Sequence, residues 1–244
     1  MAAVNDAIRE VKDLRVWFPV RKGVFARTVG HVKAVDGVSF TLKRGETLGV
    51  VGESGSGKST LARVIAGLQK PTSGELYIGG RVGMVFQDPL GSLNPRMTVA
   101  ASINEIPGAG DPRPLLEMVG LDDSALDKYP HEFSGGQRQR ICIAQAIAAK
   151  PELLICDEAV SALDIQIRAQ ILDLLMDLKE RLGLSLMFIT HDLGVVQHVT
   201  ERLIVMYHGV VAEEGDCRKI LSSPQSDYTR NLIAAVPRIA VQNV

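Results

Sequence analysis

Residues 52–60 read GESGSGKST and match the spacing G-x-x-x-x-G-K-S/T at every fixed position. The apolar run before them, TLGVV at 47–51, predicts a buried strand, and LARVIAGL at 61–68 has apolar residues at helical spacing. A glycine-rich loop between a strand and a helix is the context in which this spacing indicates a phosphate-binding loop. The stretch therefore predicts an α/β fold organised around a bound polyphosphate.

The composition of the loop explains how it would hold phosphate. Backbone N–H groups of a tight loop can all point at one anion, and the helix behind the loop adds the positive end of its dipole. We expect Lys58 to reach the β- and γ-phosphates, Ser59 to ligate Mg²⁺ and Thr60 to lie on the α-phosphate side. A Gly/Ser-rich turn that carries a lysine by chance is the alternative, and it does not account for the flanking strand and helix. The predicted nucleotide-binding residues of the loop are Gly52, Glu53, Ser54, Gly55, Ser56, Gly57, Lys58, Ser59 and Thr60.

The composition is that of an ordinary globular protein, since 46% of the 244 residues are hydrophobic and 23% are charged. This length allows one large domain or two small ones. A net charge of −1 gives no reason to expect nucleic acid as the main partner. Cys142, Cys156 and Cys217 predict reduced, packed thiols, because their number is odd and no C-x-x-C pair occurs.

No stretch of the sequence predicts a membrane-spanning segment. The N-terminal residues are charged early and lack the apolar core of a signal peptide. The longest apolar stretch, 141–156, is interrupted by Gln145, Lys150 and Pro151. Any work at a membrane would therefore depend on another chain.

Alternating apolar and polar residues within 8–42 predict two strands of an antiparallel β layer before the phosphate loop. The segment between these strands, 19–30, is polar and interrupted by glycine, and it predicts a mobile loop. Phe18 ends the first strand, where its ring could stack on an adenine, with Trp17 and Phe25 as rivals for that position. Trp17 or Phe18 could instead pack in the core.

Polar residues stand directly after three further predicted strands. Gln87 follows one, the acidic pair Asp157 and Glu158 ends another, and His191 follows a third. A carboxylate at a strand end beside a phosphate loop commonly holds the water shell of Mg²⁺, and the next can orient an attacking water. Gln87 could reach a metal, and His191 could contact the γ-phosphate. Each feature alone is more often structural, but the phosphate loop favours the catalytic interpretation.

Between 90 and 133 the pattern changes to short helical segments at 98–106, 113–119 and 123–128, separated by glycine, proline and aspartate, which predicts a small helical insertion. Ser134 then caps a longer helix, and Gly135 and Gly136 leave the start of that helix bare, so that a second phosphate could approach it. The tetrapeptide SALD at 161–164 precedes a helix predicted over 166–182, whose apolar residues at 167, 171, 174, 175, 178 and 182 form a core-facing stripe. The segments predicted to close the chain are a hairpin at 203–213 and helices at 216–222 and 228–236.

Six short motifs now stand in order along the chain. They are GESGSGKS (Walker A), FQDP (the Q-loop), FSGGQ (the signature), LLICDE (Walker B), SALD (the D-loop) and THD (the switch). Together they resemble the ATP-binding subunits of ABC transporters across essentially the whole chain. LGSLNPRMTV after the Q-loop and SPQSDYTRNLIAAVP near the end are similar to the branch that imports dipeptides, oligopeptides and nickel.

The resemblance implies an α/β fold in which a P-loop NTPase (RecA-like) core carries an N-terminal antiparallel β layer and a small α-helical insertion subdomain. A single ABC ATPase domain would occupy residues 1–244. Residues 1–89 and 150–244 would form the β layer and the core, and residues 90–149 would form the helical subdomain with the signature motif.

The resemblance also implies roles for individual residues, with ATP and Mg²⁺ as the bound groups. Ser59 and Gln87 would ligate Mg²⁺, and Asp157 would hold its water shell. Glu158 would polarise the attacking water, and His191 would contact the γ-phosphate. The residues expected to act across a dimer are Ser134, Gly135, Gly136 and Gln137, which would contact ATP held by the other subunit, and Asp164, which would communicate between the subunits.

The expected partners are a second ABC ATPase subunit, transmembrane permease subunits and, indirectly, an extracytoplasmic solute-binding protein. The expected location is the cytoplasm, peripheral on the inner face of the cell membrane. The leading functional hypothesis is ATP hydrolysis that drives import of peptides or a related small solute, such as nickel or a glutathione-like molecule. An ATPase of a non-transport complex and a regulatory module with little hydrolysis are the alternatives; the complete Q-loop argues against the first, and Glu158 with His191 against the second.

Several features depart from the usual pattern of that branch. Gln87 follows Lys58 after fewer residues than usual, and the helical insertion is also short. Ala159 stands where proline is usual, which loosens the turn but removes no functional group, and Gln145 stands where arginine is usual. The chain lacks the cysteine cluster of some branch members, which argues against an iron–sulfur centre.

Overall fold

The computed structural model describes residues 7–22 and 27–235, which form two β-sheets and a set of helices. The strands are β1 (Ala7–Lys22), β2 (Arg27–Lys43), β3 (Thr47–Val51), β4 (Ser73–Ile78), β5 (Val82–Val85), β6 (Leu153–Asp157), β7 (Ser185–Thr190), β8 (Arg202–Tyr207) and β9 (Val210–Asp216). The α-helices are α1 (Lys58–Ile65), α2 (Pro89–Ser92), α3 (Val99–Asn104), α4 (Pro112–Met118), α5 (Gly135–Ala148), α6 (Ile165–Leu182), α7 (Leu193–Val199), α8 (Cys217–Ser222) and α9 (Asp227–Ala234). Two 3₁₀ turns span Asp123–Ala125 and Pro130–Glu132.

A mixed six-stranded sheet positions the predicted site residues. Its strand order is β5-β6-β7-β3-β8-β9, in which the first five strands are parallel and β9 pairs antiparallel with β8. Every residue of β3, β6 and β7 is buried, as expected for parallel strands covered on both faces. Because parallel strands end at the same edge, the segments that follow β3, β5, β6 and β7 come together there.

The predicted N-terminal antiparallel layer is confirmed as a second sheet with the order β2-β1-β4. The prediction of a mobile loop over 19–30 is wrong for the described residues, because β1 continues to Lys22 and β2 begins at Arg27. The cross-strand pairs extend to Lys22 and Arg27, so this part of the backbone is hydrogen-bonded in the ladder. Phe25 lies outside the described residues.

The helices α2 to α5 follow the Q-loop, in the part of the chain where the sequence predicts a small helical insertion. Ile141, Ile143 and Ile147 of α5 are buried in one cluster with residues of α3 and α4. The helix predicted over 123–128 is only a short 3₁₀ turn at Asp123–Ala125. Asp122 accepts a hydrogen bond from the backbone N–H of Ser124 in this turn, a local bond that competes with a longer helix.

The remaining predicted helices and the hairpin occur with small shifts at their ends. On α6, Ile171, Leu175 and Leu178 are buried, whereas Leu182 in the last turn is exposed and does not belong to the core-facing stripe. The helix predicted over 228–236 is α9, which begins one residue earlier and has Ala235 as its C-terminal cap. Position 236 lies outside the described residues. No helix within the described part of the chain combines the length and apolarity needed to cross a bilayer.

Candidate functional site

The phosphate loop follows β3 and is shaped by glycines that no other residue could replace. Gly52 and Gly57 have φ angles of 151° and 104°. A Cβ atom on Gly52 would collide with the carbonyl oxygen of Met206, and one on Gly57 would collide with that of Ala34. The loop therefore lies directly against the backbones of β2 and β8, and its tight path depends on the missing side chains.

Lys58, the first residue of α1, lies folded back onto the loop. Its Nζ donates hydrogen bonds to the carbonyl oxygens of Gly52 at 2.8 Å and of Glu53 at 2.7 Å. Burial lowers the pKa of the Lys58 ammonium, while the nearby carboxylates, Glu158 foremost, act in the opposite direction. The ammonium is thus partly desolvated and held by two carbonyls, from which it would have to turn to meet a phosphate.

Ser59 and Asp157 meet beneath the loop. The Ser59 hydroxyl donates a 3.0 Å hydrogen bond to Oδ1 of Asp157, although the two residues belong to α1 and to the end of β6. Asp157 is 6% exposed, and this burial raises its pKa, against the lowering effect of the Ser59 hydrogen bond. A hydroxyl and a carboxylate at this distance form the kind of hard oxygen pair that Mg²⁺ prefers.

Glu158 and His191 directly follow β6 and β7, and together they form the strand-end pair of the site. Glu158 has a left-handed φ of 50°, and its backbone N–H donates to the carbonyl oxygen of Ile189 at 2.8 Å. His191 Nδ1 lies 3.4 Å from Oε1 of Glu158. A non-glycine residue in this conformation is uncommon and is typical of functional positions that the surrounding structure holds in place.

One open cavity of about 870 Å³ collects most of the predicted residues. The predicted residues that line it are Glu53, Ser54, Gly55, Gly57, Lys58, Ser59, Thr60, Gln87, Glu158 and His191. Gly52 and Ser56 of the loop and Asp157 below it are buried and do not line the cavity. The structure therefore joins the phosphate loop, the Q-loop glutamine and the strand-end pair in one site.

Four lining residues were missed by the sequence analysis, namely Val32, Lys33, Ala34 and His208. Their sequence signal is weak, because three belong to an ordinary alternating strand and His208 was assigned only to a hairpin turn. His208 has a φ of 46°, which is an unusual conformation but is invisible in the sequence. The β layer and the β8–β9 hairpin therefore form the part of the cavity wall that these four residues line.

Of the aromatic residues considered for adenine stacking, Phe18 and Trp17 are described, and neither lines this cavity. Phe18 is 41% exposed and pairs across the ladder with Val32, which does line the cavity. The indole N–H of Trp17 donates to Oδ1 of Asp36 at 3.1 Å, and the Lys33 ammonium lies 4.6 Å from the Trp17 ring centre. Trp17 is therefore engaged within the β layer, whereas Phe18 keeps an exposed ring.

The signature residues 134–137 do not line the cavity of their own chain. Ser134 Oγ accepts a hydrogen bond from the N–H of Gln137, and the Gln137 side chain accepts one from the N–H of Ser134, which forms a capping box at α5. Asp164 caps α6 by accepting a hydrogen bond from the N–H of Ile167 at 2.9 Å. Within their own chain, Ser134, Gln137 and Asp164 therefore act as helix caps.

The strand, glycine loop and lysine-bearing helix, with acidic and histidine side chains at neighbouring strand ends, define a P-loop NTPase. A family model described as ABC transporter matches residues 35–161, more than half of the chain. The chain belongs to the ABC transporter family, and it is an ATP-binding ATPase of that family.

Individual relatives agree with this assignment. The oligopeptide transport ATP-binding protein AppF of Bacillus subtilis (strain 168) is 45% identical, over 97% of this chain and 80% of its own length. The dipeptide transport ATP-binding protein DppF of Haemophilus influenzae (strain ATCC 51907 / DSM 11121 / KW20 / Rd) is 46% identical, over 97% of this chain and 80% of its own length. Among solved structures, a dimeric post-hydrolysis state of the ATP-binding cassette MJ0796 bound to ADP and Pi is 30% identical, with a TM-score of 0.73 over 86% of this chain and 99% of that one.

The comparison with AppF also bears on the shortened segments. The aligned region spans 263 residues, which is longer than the 244 residues of this whole chain. AppF therefore contains residues within the aligned region that this chain lacks.

Proposed function

We propose that this chain is the ATP-hydrolysing subunit of an importer for peptides or a related small solute. The observation that carries the chemical part is the single cavity in which the phosphate loop faces Glu158 and His191. The solute class rests on the names of relatives, which are oligopeptide and dipeptide transport proteins more than 40% identical to this chain.

ATP would bind with its phosphates in the loop. The N–H groups of the loop and the start of α1 offer donors and a positive dipole end to the phosphates. Lys58 would leave the carbonyl oxygens of Gly52 and Glu53 and turn its ammonium to the β- and γ-phosphates. Phe18 remains the proposed partner of the adenine ring, since its exposed side chain flanks the cavity at Val32.

The residues present fit a magnesium ion that is shared with the nucleotide. Ser59 and Gln87 would supply neutral oxygens, and Asp157 would hold the water shell. Within the described ranges, no group of three or more His, Cys, Asp or Glu residues could hold a metal ion. Phosphate oxygens would therefore complete the shell, as is usual for Mg²⁺, and the ion would neutralise charge on the transferred phosphoryl group.

Glu158 would accept the proton of the attacking water. Its carboxylate lines the cavity and its backbone is fixed by Ile189, so its position does not depend on a flexible loop. His191, in contact with this carboxylate, would reach the γ-phosphate from the same edge of the sheet. General-base assistance of this kind typically contributes about 10²–10⁴-fold to a rate.

The signature residues would act on the nucleotide of a second subunit. Ser134 and Gln137 already order the start of α5. Apart from its chain neighbours and the backbone of α5, no atom of the described residues lies within 4 Å of the position that a Cβ on Gly135 would take, which leaves that face open. Asp164, at the start of α6, would lie at the same interface and communicate between subunits. The similar MJ0796 structure is a dimer bound to ADP and Pi, which supports a dimeric arrangement.

The remaining partners follow from the importer assignment. The chain would dock on transmembrane permease subunits at the cytoplasmic face of the cell membrane, as a peripheral protein. An extracytoplasmic solute-binding protein would deliver the solute and would act on this chain only indirectly.

Uptake measurements on intact cells test the proposal. Deletion of the gene should abolish uptake of radiolabelled di- and tripeptides, and the parent protein should restore it. The Glu158→Gln protein should be made in equal amount and fail to restore uptake. Unchanged uptake of peptides and nickel in the deletion strain, with an active ATPase in vitro, would favour a non-transport complex.

A further inference from the structure

The closing helix α9 contacts the phosphate loop through one tyrosine. The backbone N–H of Glu53 donates a hydrogen bond to the hydroxyl of Tyr228 at 3.2 Å. That N–H belongs to the same peptide unit as the carbonyl of Gly52, which accepts from Lys58 Nζ at 2.8 Å. The first peptide unit of the loop is therefore held on one side by Lys58 and on the other by Tyr228.

The Tyr228 ring is fixed by aromatic neighbours. Its centroid lies 4.1 Å from that of Tyr207, and the Tyr207 ring in turn packs edge-on against His208 at 4.2 Å. His208 lines the nucleotide cavity. A continuous row of rings thus joins α9 to the cavity wall.

The start of α9 is held by a separate contact. The carboxylate of Glu213, on β9, accepts hydrogen bonds from the N–H groups of Gln225 and Ser226 at 2.9 and 3.1 Å. These two residues directly precede α9, so the helix that carries Tyr228 is fixed to the mixed sheet. The hydroxyl that meets Glu53 is therefore presented by a preordered element.

A bound nucleotide would affect the Lys58 contact and the Tyr228 contact of this peptide unit differently. Lys58 must leave the Gly52 and Glu53 carbonyls in order to meet a phosphate, whereas nothing about a bound nucleotide requires Tyr228 to move. We infer that Tyr228 is a positioning residue that keeps the first peptide unit of the phosphate loop in place while Lys58 turns to the nucleotide. The inference rests on the proposed binding of ATP in this cavity.

Tyr228→Phe removes the hydroxyl and keeps the ring. Loss of one hydrogen bond that matters in the bound state should raise the Kd for Mg-ATP about fivefold in titration calorimetry. The KM for ATP should rise in parallel, and kcat at saturating ATP should stay at the parent value. Tyr207→Phe is the matched control, because it removes the hydroxyl of the neighbouring ring and should leave the Kd unchanged.

Amide hydrogen exchange without nucleotide gives a readout that does not depend on ATP binding. In Tyr228→Phe the Glu53 amide should exchange several-fold faster, while the Val50 amide in β3 keeps its protection. A parent protein that fails to bind ATP would defeat the proposed function, and the exchange at Glu53 would still decide the contact. Parent values of both the Kd and the Glu53 exchange rate in Tyr228→Phe would overturn the inference, as would a lowered Tm with an unchanged Kd.

Discussion

The Nδ1 atom of His191 lies 3.4 Å from Oε1 of Glu158. The two residues follow β7 and β6, which are adjacent parallel strands, so the sheet itself brings their side chains to one edge. Glu158 is further fixed by its left-handed backbone and by the hydrogen bond of its N–H to Ile189. A carboxylate placed in this way faces the cavity with a defined orientation before any nucleotide binds.

Glu158→Gln should keep ATP binding and lose hydrolysis. The amide preserves the size of the side chain but is a far poorer acceptor for the proton of the attacking water, so the rate should fall at least about 100-fold. Phosphate release and titration calorimetry measure the two properties separately. Turnover at the parent rate would show that the base lies elsewhere.

The same variant should reveal the oligomeric state. Because bound ATP is not hydrolysed, Glu158→Gln should form a dimer in the presence of ATP and remain monomeric without it. Light scattering with and without nucleotide distinguishes the two forms. A stable dimer in nucleotide-free buffer would contradict a sandwich that is closed by ATP.

Lys58→Ala should nearly abolish ATP binding. Two charge-assisted contacts to phosphate are lost, which corresponds to a rise in Kd on the order of 100-fold. Lys33→Ala is the matched control, since Lys33 also lines the cavity but its Nζ already pairs with Asp36 at 3.0 Å. Its effect on the Kd, measured by calorimetry, should be far smaller; equal losses in the two variants would point to general electrostatics.

Asp157→Asn should abolish magnesium-dependent hydrolysis without destabilising the empty protein at neutral pH. Burial raises the pKa of Asp157, so its contribution to stability is present below the unfolded value and is lost as pH rises through the folded pKa. The asparagine oxygen can still accept from Ser59. The melting temperature at pH 7 should therefore equal or exceed that of the parent, and the difference should shrink toward pH 4.

Asp36→Asn is a control for which we expect the opposite dependence of stability on pH. The hydrogen bond from Lys33, first, and that from Trp17 lower the pKa of Asp36, so its contribution is present above the unfolded pKa and is lost on acidification. This substitution should lower the melting temperature at pH 7 and not at low pH. A lower melting temperature of Asp157→Asn at pH 7 would show that the Asp157 charge stabilises the empty fold.

Gly135→Ala and Gly136→Ala should separate packing from the shared nucleotide site. A Cβ on Gly136 would lie 2.7 Å from Cγ2 of Ile167. A Cβ on Gly135 would meet no atom of the described residues within 4 Å, apart from its chain neighbours and the backbone of α5. Overpacking typically costs about 1–3 kcal/mol. For a chain of this size we therefore expect Gly136→Ala to lower the melting temperature by about 2–10 °C.

Gly135→Ala should leave the melting temperature unchanged or slightly higher, because alanine favours a helix over glycine. Its ATPase rate should nevertheless fall, since the added methyl group faces the position proposed for the nucleotide of the second subunit. Melting curves and phosphate release measured on both variants test the assignment. Combining Gly136→Ala with Ile167→Ala should relieve the overpacking and restore the melting temperature. Full ATPase activity of Gly135→Ala in a dimer would place the second nucleotide elsewhere.

Local features of the amino-acid sequence were sufficient for the phosphate loop and for the fold class. The spacing of residues 52–60 with its apolar flanks depends only on neighbours in the chain, and the loop occurs between β3 and α1. The polar residues after the predicted strands could also be grouped, because parallel strands end at one edge. Family resemblance, rather than periodicity, supplied the roles of Ser134 and Asp164, and these remain predictions.

Contacts between distant segments were decided by the tertiary structure. Residues 19–22 and 27–30 are polar enough to predict a loop, and only their pairing with one another makes them strands. The need for glycine at 136 is set by Ile167, and the hydroxyl of Tyr228 finds Glu53 across most of the length of the chain. Such contacts produce no periodic pattern in either segment, because each contact depends on a surface that distant parts of the chain form together.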